Sequence, residues 1–173
     1  MSPASSPGVT DTRTQTPAAA EAPRWLDDEQ QNSWRAFATA MVKLRWALEC
    51  QLQHDAGLGF VEYHALARLS ENPRHTMRMS ELAEVTNASL SRLSHLIKRL
   101  ELRKLVRREP DPNDGRYTNA ILTRAGLALL TASAPAHVAK VRELVIDTLS
   151  PAELRQLRTA SVRLLQRIEA TDQ

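Results

Sequence analysis

Cysteine is nearly absent: Cys50 is the only one among 173 residues. A single thiol excludes an intrachain disulfide and a thiolate metal cluster. Aromatic residues are few, at 4%. No stretch approaches the roughly 18 consecutive apolar residues of a membrane span, and Met1 to Pro23 lacks the apolar centre of a signal peptide. These absences point to a cytoplasmic protein with no membrane partner. Catalytic patterns are missing too. The histidines show no ligand spacing such as His-x-x-x-His, there is no glycine-rich phosphate loop, and no serine sits in a nucleophile elbow. The chain is therefore not expected to be an enzyme or to hold a metal or cofactor.

Charge is present and unevenly placed. The net charge is +3, yet the segment Arg92 to Arg116 holds eight basic residues (Arg92, Lys98, Arg99, Arg103, Lys104, Arg107, Arg108, Arg116) against four acidic ones (Glu101, Glu109, Asp111, Asp114). That leaves +4 in this segment and −1 in the rest of the chain. A basic stripe on a near-neutral body suits a phosphate binder, although a solvated helix face has the same composition.

Residues 1–23, rich in Pro, Ala, Ser and Thr, have too little to bury to offset their ordering entropy, and read as a disordered tail. Asp27 or Asp28 opens a helix to about His54, in which Trp34, Phe37, Met41, Leu44, Leu48 and Leu52 recur every three or four residues. Val42, Trp46 and Cys50 lie on another face, which predicts burial on two sides; Gly57 and Gly59 end the helix. Phe60 to about Glu71 forms a second helix. Ser80 is placed to cap a third, reaching about Thr86 and burying Leu82, Ala83 and Val85. A turn follows at Thr86-Asn87-Ala88, where Asn87 tolerates the left-handed conformation.

Ser89 caps a fourth helix to about Arg103. Leu93, Leu96, Ile97 and Leu100 form its buried side, with Ser91, Arg92, Ser94, His95, Lys98 and Arg99 opposite. Two strands, about Val106 to Glu109 and Tyr117 to Leu122, flank an Asp114-Gly115 hairpin turn, with Pro110 and Pro112 kept out of the ladder. Thr123 caps a fifth helix to Leu149, which Pro135 is expected to kink or break. Ser150-Pro151-Ala152-Glu153 is a capping box opening a sixth helix, whose Leu154, Leu157, Ser161, Leu164 and Ile168 keep heptad spacing.

Two short helices joined by a tight turn and followed by a hairpin describe a winged helix-turn-helix. The chain reads as mainly α with a small β-hairpin wing. A DNA-binding lobe occupies 58–122, and a helical dimerisation region is drawn from 24–57 and 123–173. The first, fifth and sixth helices carry more apolar surface than one small lobe covers.

The run Leu82-Ala83, Ser89, Ser91-Arg92-Leu93, Leu96-Ile97, Arg99-Leu100-Glu101, Leu105-Val106-Arg107-Arg108, Asp111-Pro112, Asp114, Arg116, Leu122-Thr123 and Gly126 resembles the MarR family in order and spacing. The resemblance spans about Leu58 to Leu130 and includes the wing's Asp114-Gly115-Arg116 and the Leu-Thr-x-x-Gly that restarts the helix. It implies a homodimer with two winged lobes below a helical region. Such dimers bind pseudo-palindromic double-stranded DNA and often release it when a small aromatic or phenolic molecule binds; a repressor is the expected form. Lys104 departs from the pattern, because the family usually carries glycine there. Either Lys104 adopts a left-handed conformation or the helix ends differently.

On this reading Ser89, Ser91, Arg92, Ser94, His95 and Arg99 make the DNA-reading face of the fourth helix, hydroxyls toward phosphates or base edges and arginine toward guanine. The resemblance assigns Arg116 to the minor groove, with Asp114 supporting it. Ser80 either donates to a phosphate or only caps its helix. Trp46, Cys50 and His54 fall four apart on one face, with Tyr63 beyond the glycine break; they line an effector pocket or pack in the core. Cys50 lies near the end of its helix, whereas peroxide-sensing relatives carry cysteine near the start. The alternative to a DNA-binding regulator is a winged-helix module that binds proteins. Such a module is expected to lose the basic face and the wing arginine, and Arg92, Lys98, Arg99 and Arg116 are all present.

Overall fold

The structure, a computed structural model, describes residues 23–171. Its elements run α1 (Asp28–Ala56), α2 (Phe60–Glu71), β1 (Thr76–Arg78), α3 (Met79–Val85), α4 (Leu90–Leu102), β2 (Val106–Pro110), β3 (Thr118–Leu122), α5 (Arg124–Val141), a π-helical turn (Arg142–Ile146) and α6 (Pro151–Glu169). This is the mainly helical chain with a small antiparallel sheet that the sequence predicts. The tail expected over 1–23 lies outside the described residues, Pro23 excepted. No helix among the described residues is long and apolar enough to cross a membrane.

The chain divides into one unit ending at Ala36 and another starting at Phe37. In the first, Asp27 closes the start of α1. Its carboxylate accepts from the Gln30 N–H at 2.8 Å, and the Gln30 side-chain oxygen accepts from the Asp27 N–H at 3.1 Å. The pair satisfies donors that a helix start leaves orphaned.

In the second unit the core forms around α4. Leu93, Ile97 and Leu100 are fully buried there with Leu52, Leu58, Leu66, Leu69, Leu82 and Val106. Each such side chain contributes roughly 1.5–3 kcal/mol by leaving water. The turn before α4 depends on Asn87, whose φ of 49° lets the Ala88 N–H donate back to the Ala83 carbonyl at 2.9 Å. Ser89 then caps α4, its hydroxyl accepting from the Arg92 N–H at 3.3 Å. At the other end Lys104 takes a φ of 61°. Its N–H donates to Glu101 at 2.8 Å and that of Leu105 to Leu100 at 2.9 Å. This is a Schellman ending made without glycine.

Several expectations are corrected. The sheet has three strands in the order β1-β3-β2, with Met77 opposite Ala120 and Val106 opposite Leu122. Thr76–Arg78 is too short to show an alternating pattern. Pro110 joins the ladder opposite Thr118, at the end of edge strand β2 where a missing N–H is tolerated. Gly115 does not take the positive φ of a two-residue primed turn, because the loop runs from Asp111 to Tyr117 and is closed by the Asp111 N–H donating to the Tyr117 carbonyl at 2.9 Å.

Pro135 does not break α5. Pro135 and Thr131, whose carbonyl loses its partner, are both exposed, so water can serve that carbonyl. The helix instead changes pitch at Arg142, where the Asp147 N–H donates to the Arg142 carbonyl at 2.9 Å. Val85, expected inside, is exposed. α1 is not buried on two sides: Leu48 and Leu52 are its only buried residues, while Met41, Val42 and Trp46 are exposed. α6, opened by the Ser150–Glu153 capping box, has no buried residue, and Leu157, Leu164 and Ile168 are 41%, 47% and 55% exposed.

The junction into α5 explains the Leu-Thr-x-x-Gly spacing. Thr123 caps α5 by accepting from the Gly126 N–H at 3.0 Å, and its hydroxyl donates to the carbonyls of Lys104 and Leu105. That draws Gly126 so close that a β-carbon there would meet the Leu105 carbonyl oxygen at 2.2 Å. Gly126→Ala should therefore destabilise the protein by about 1–3 kcal/mol despite alanine's better helix propensity. Lys104→Gly should stabilise it by about 0.5–1 kcal/mol, because glycine removes the left-handed strain. Chemical denaturation of the two variants checks both signs.

Candidate nucleic-acid interface

With its apolar stripe in the core, α4 presents the opposite side outward: Ser91, Arg92, His95 and Lys98 are exposed, and Ser94 is half-buried. Beside this face lies a hollow of about 400 Å³, bounded by Arg78, Ser80, Leu90, Ser94, Arg116 and Tyr117. It separates α4 from the wing. Hydroxyls and guanidinium groups around a concave surface suit an anionic backbone. Ser89 is exposed at the start of α4, and although its oxygen serves the cap, its O–H can still donate.

The wing is held by carboxylates. Asp114 accepts from the Arg116 backbone N–H at 3.1 Å, from its Nε at 2.9 Å and from its Nη2 at 2.6 Å. The Arg116 side chain is nonetheless 85% exposed, standing on the wing with its orientation set from below. Asp111 is buried, and accepts from the N–H groups of Asn113 at 2.9 Å and Asp114 at 3.3 Å and from Arg78 Nε at 3.1 Å. On the helix side, Glu101 takes Arg108 Nε at 2.8 Å and ties β2 to α4.

Three residues stand differently from what the sequence pattern predicts. Ser80 is not a cap: Arg78 occupies the cap position of α3, its N–H reaching the Glu81 carboxylate at 3.3 Å, and Ser80 sits exposed in the first turn. The strand that ends at Arg78 moves the helix start upstream. Arg99 is not a plain outward cation. Its Nε donates to Glu62 of α2 at 2.9 Å, which neutralises a buried carboxylate. Arg103 is exposed but also committed, donating to the carbonyls of Gly57 at 2.7 Å and Ala56 at 3.2 Å at the end of α1.

Trp46, Cys50, His54 and Tyr63 do not converge on one cavity. The first three are exposed on α1, whereas Tyr63 is buried with its ring 4.5 Å from that of His137. Burial holds the His137 imidazole below its usual pKa and raises that of Tyr63. His137 also bonds Gln51 Oε1 at 3.0 Å, so this is a packed polar contact between α2, α5 and α1. Two positions escaped the sequence reading. Leu90, 58% exposed, is an apolar residue off the buried stripe, and that mismatch was its only signal. Asp111 was legible only as part of Asp-Pro, with nothing to mark it as the wing's hub.

The clasp carries a pH dependence. Bonds from Arg116 hold the Asp114 carboxyl below the usual aspartate range, and bonds led by the Asn113 N–H do the same for Asp111. A depressed carboxylate pKa means that the clasp is complete above the ordinary range and is lost as pH falls through the lowered value. In a carbon-13 titration both carboxyls should titrate below the usual value of about 3.9. In Arg116→Ala, Asp114 should move up toward that value while Asp111 stays low. If Asp114 titrates identically in the variant, Arg116 is not what holds it.

Comparison with known proteins agrees with this geometry. A model of the MarR family matches residues 56–116. A MarR family transcriptional regulator of Streptomyces coelicolor, solved in complex with DNA, is 41% identical, with a TM-score of 0.82, over 83% of this chain and 94% of that one. AbsC, a second MarR family regulator of Streptomyces coelicolor, is also 41% identical, with a TM-score of 0.82, over 86% of this chain and 99% of its own. The transcriptional repressor NicR of Pseudomonas putida is 32% identical over 69% of this chain and 71% of its own. The chain belongs to the MarR family of transcriptional regulators.

Proposed function

We propose that the protein acts in the cytoplasm as a homodimeric, DNA-binding transcriptional repressor whose role is binding and not catalysis. One observation carries this reading: the outward face of α4 and the exposed Arg116 flank a single hollow lined with hydroxyls and cations. A duplex laid here puts the first turns of α4 in the major groove, Arg116 in the minor groove, and the intervening phosphates over the hollow. Arg92 then reaches a guanine edge or a neighbouring phosphate, and Leu90 offers apolar contact to a thymine methyl. The DNA complex of the Streptomyces coelicolor relative and the repressor activity named for NicR support this assignment.

Dimerisation is supported by what one chain leaves uncovered. α6 is amphipathic and has no buried residue, and α1 exposes Met41, Val42 and Trp46. The helical region of 24–57 and 123–173 provides the interface, and 58–122 the DNA-binding lobe. A small aromatic anion is the effector this reading favours. A cleft of about 530 Å³ on the other flank of α4 sets Arg45, Arg92, Arg99 and His95 beside Phe60 and Leu96. A ligand there engages the same Arg92 that faces DNA, so the two compete.

Selection from a randomised operator library at several salt concentrations tests the DNA reading. Arg92→Ala should cost roughly 1–3 kcal/mol and relax preference at one position in each half-site. Arg116→Ala should weaken binding most for operators with A·T-rich flanks, and each variant should flatten the log–log salt dependence by up to about one unit. An Arg116→Ala protein that binds every sequence like the parent, with the same salt slope, rules out the wing as a reader.

For the dimer, Leu157→Glu combined with Leu164→Glu places charge in the α6 seam and should yield monomer or unfolded chain by sedimentation. A double variant that stays dimeric moves the interface elsewhere.

A further inference from the structure

We propose that Arg78 is a positioning residue for DNA reading: it clamps the wing loop to the start of α3 and thereby sets where Arg116 stands relative to the outward face of α4. The inference rests on the reading of Arg116 as the wing's DNA contact. Arg78 Nε donates to Asp111 Oδ2 at 3.1 Å, and its guanidinium carbon lies 4.6 Å from the centre of the Tyr117 ring. Asp111 and Tyr117 are the two ends of the wing loop, already joined by a backbone bond of 2.9 Å. One side chain therefore grips both ends, by its edge and by its face. That double use requires arginine, since an ammonium group has neither the fork nor the plane.

The backbone of Arg78 makes the grip a link between elements. It is the last residue of β1, paired with Asn119 of β3, and its N–H holds Glu81 in the first turn of α3. β1 is only three residues long, so its ladder alone gives the wing little purchase on α3. From Arg78 the chain of contacts runs to Asp111, whose carboxylate accepts from the Asp114 N–H at 3.3 Å, and from Asp114 to Arg116. The Asn113 N–H and Arg78 hold the Asp111 carboxyl below the usual aspartate range, so this chain stays charged into mild acid.

Arg78 borders the hollow over which the phosphates are laid, but less of it than of Arg116 is free to reach them. Its Nε is committed, Tyr117 lies against its face, and its side chain is 39% exposed against 85% for Arg116. Its contribution passes through the wing.

The test combines a DNA-free readout with a selectivity readout. In the free protein, amide hydrogen exchange of Asn113 to Tyr117 should quicken by about tenfold or more in Arg78→Met, while α4 amides keep their protection. In the operator library, Arg78→Met should lose the preference for A·T-rich flanks, as Arg116→Ala does, yet keep the half-site preference set by α4. Asp111→Asn should do the same, and the Arg78→Met/Asp111→Asn double variant should match the worse single, because the two residues act as one clamp. The salt slope of Arg78→Met should flatten no further than that of Arg116→Ala, because only the wing contact is lost. Unchanged wing exchange overturns the proposal. So does a slope flattened by about one unit with flank preference intact, the signature of a direct phosphate contact. A parent-like Arg116→Ala overturns the underlying DNA reading of the wing, and that variant shows it independently of Arg78.

Discussion

Leu93, Leu96, Ile97 and Leu100 lie on one side of α4, and all four are buried. Much of the rest follows from that burial. A helix anchored by one stripe can offer only the opposite stripe, so Ser91, Arg92, His95 and Lys98 face out together. The helix is also fixed along its axis. Asn87 and Lys104 both take left-handed conformations at its borders, and each turns a backbone amide back onto the preceding helix. Strain at two non-glycine positions is tolerated because burial of the stripe outweighs it.

Carboxylates decide what the arginines do. Glu62 holds Arg99, Glu101 holds Arg108, Asp111 holds Arg78 and Asp114 orients Arg116. A count of basic residues along the chain therefore overstates the charge offered to a partner. Arg92 and Lys98 have no ion pair among the described residues, and Arg116 stays exposed while paired. The exposed pairs stabilise little in themselves, since water and salt screen them. Their effect is geometric, because they select one direction for side chains that are otherwise free to sweep.

The helical region follows a different logic from the winged lobe. The lobe covers the apolar side chains of its core, though Val85, Leu90, Leu102 and Tyr117 stay exposed, and Leu52 and Leu58 tie it to the end of α1. No apolar position of α6 is buried among the described residues. Periodicity made those residues visible in the sequence, but it cannot tell a core facing its own chain from an interface facing another. That is why Val42 and Trp46 read as interior and stand exposed.

What the sequence determined by itself is what local chemistry controls. Caps at Ser89, Thr123 and Ser150, the left-handed Asn87 and the 3.6-residue stripe of α4 act within a few residues, and each is where its pattern places it. Tertiary structure decided whatever depends on distant partners. β1 exists because β3 lies beside it, and it shifts the start of α3 so that Arg78 takes the cap position expected of Ser80. Arg99 is paired while still exposed, because Glu62, distant in sequence, is buried within its reach. Gly126 is required because Leu105 passes over it, an approach that no spacing within α5 reveals. Tyr63 leaves Trp46, Cys50 and His54 and packs on His137, because α5 lies across α2. Short-range hydrogen bonds can be read from neighbouring letters, whereas burial and long-range pairing are fixed only when the chain closes on itself.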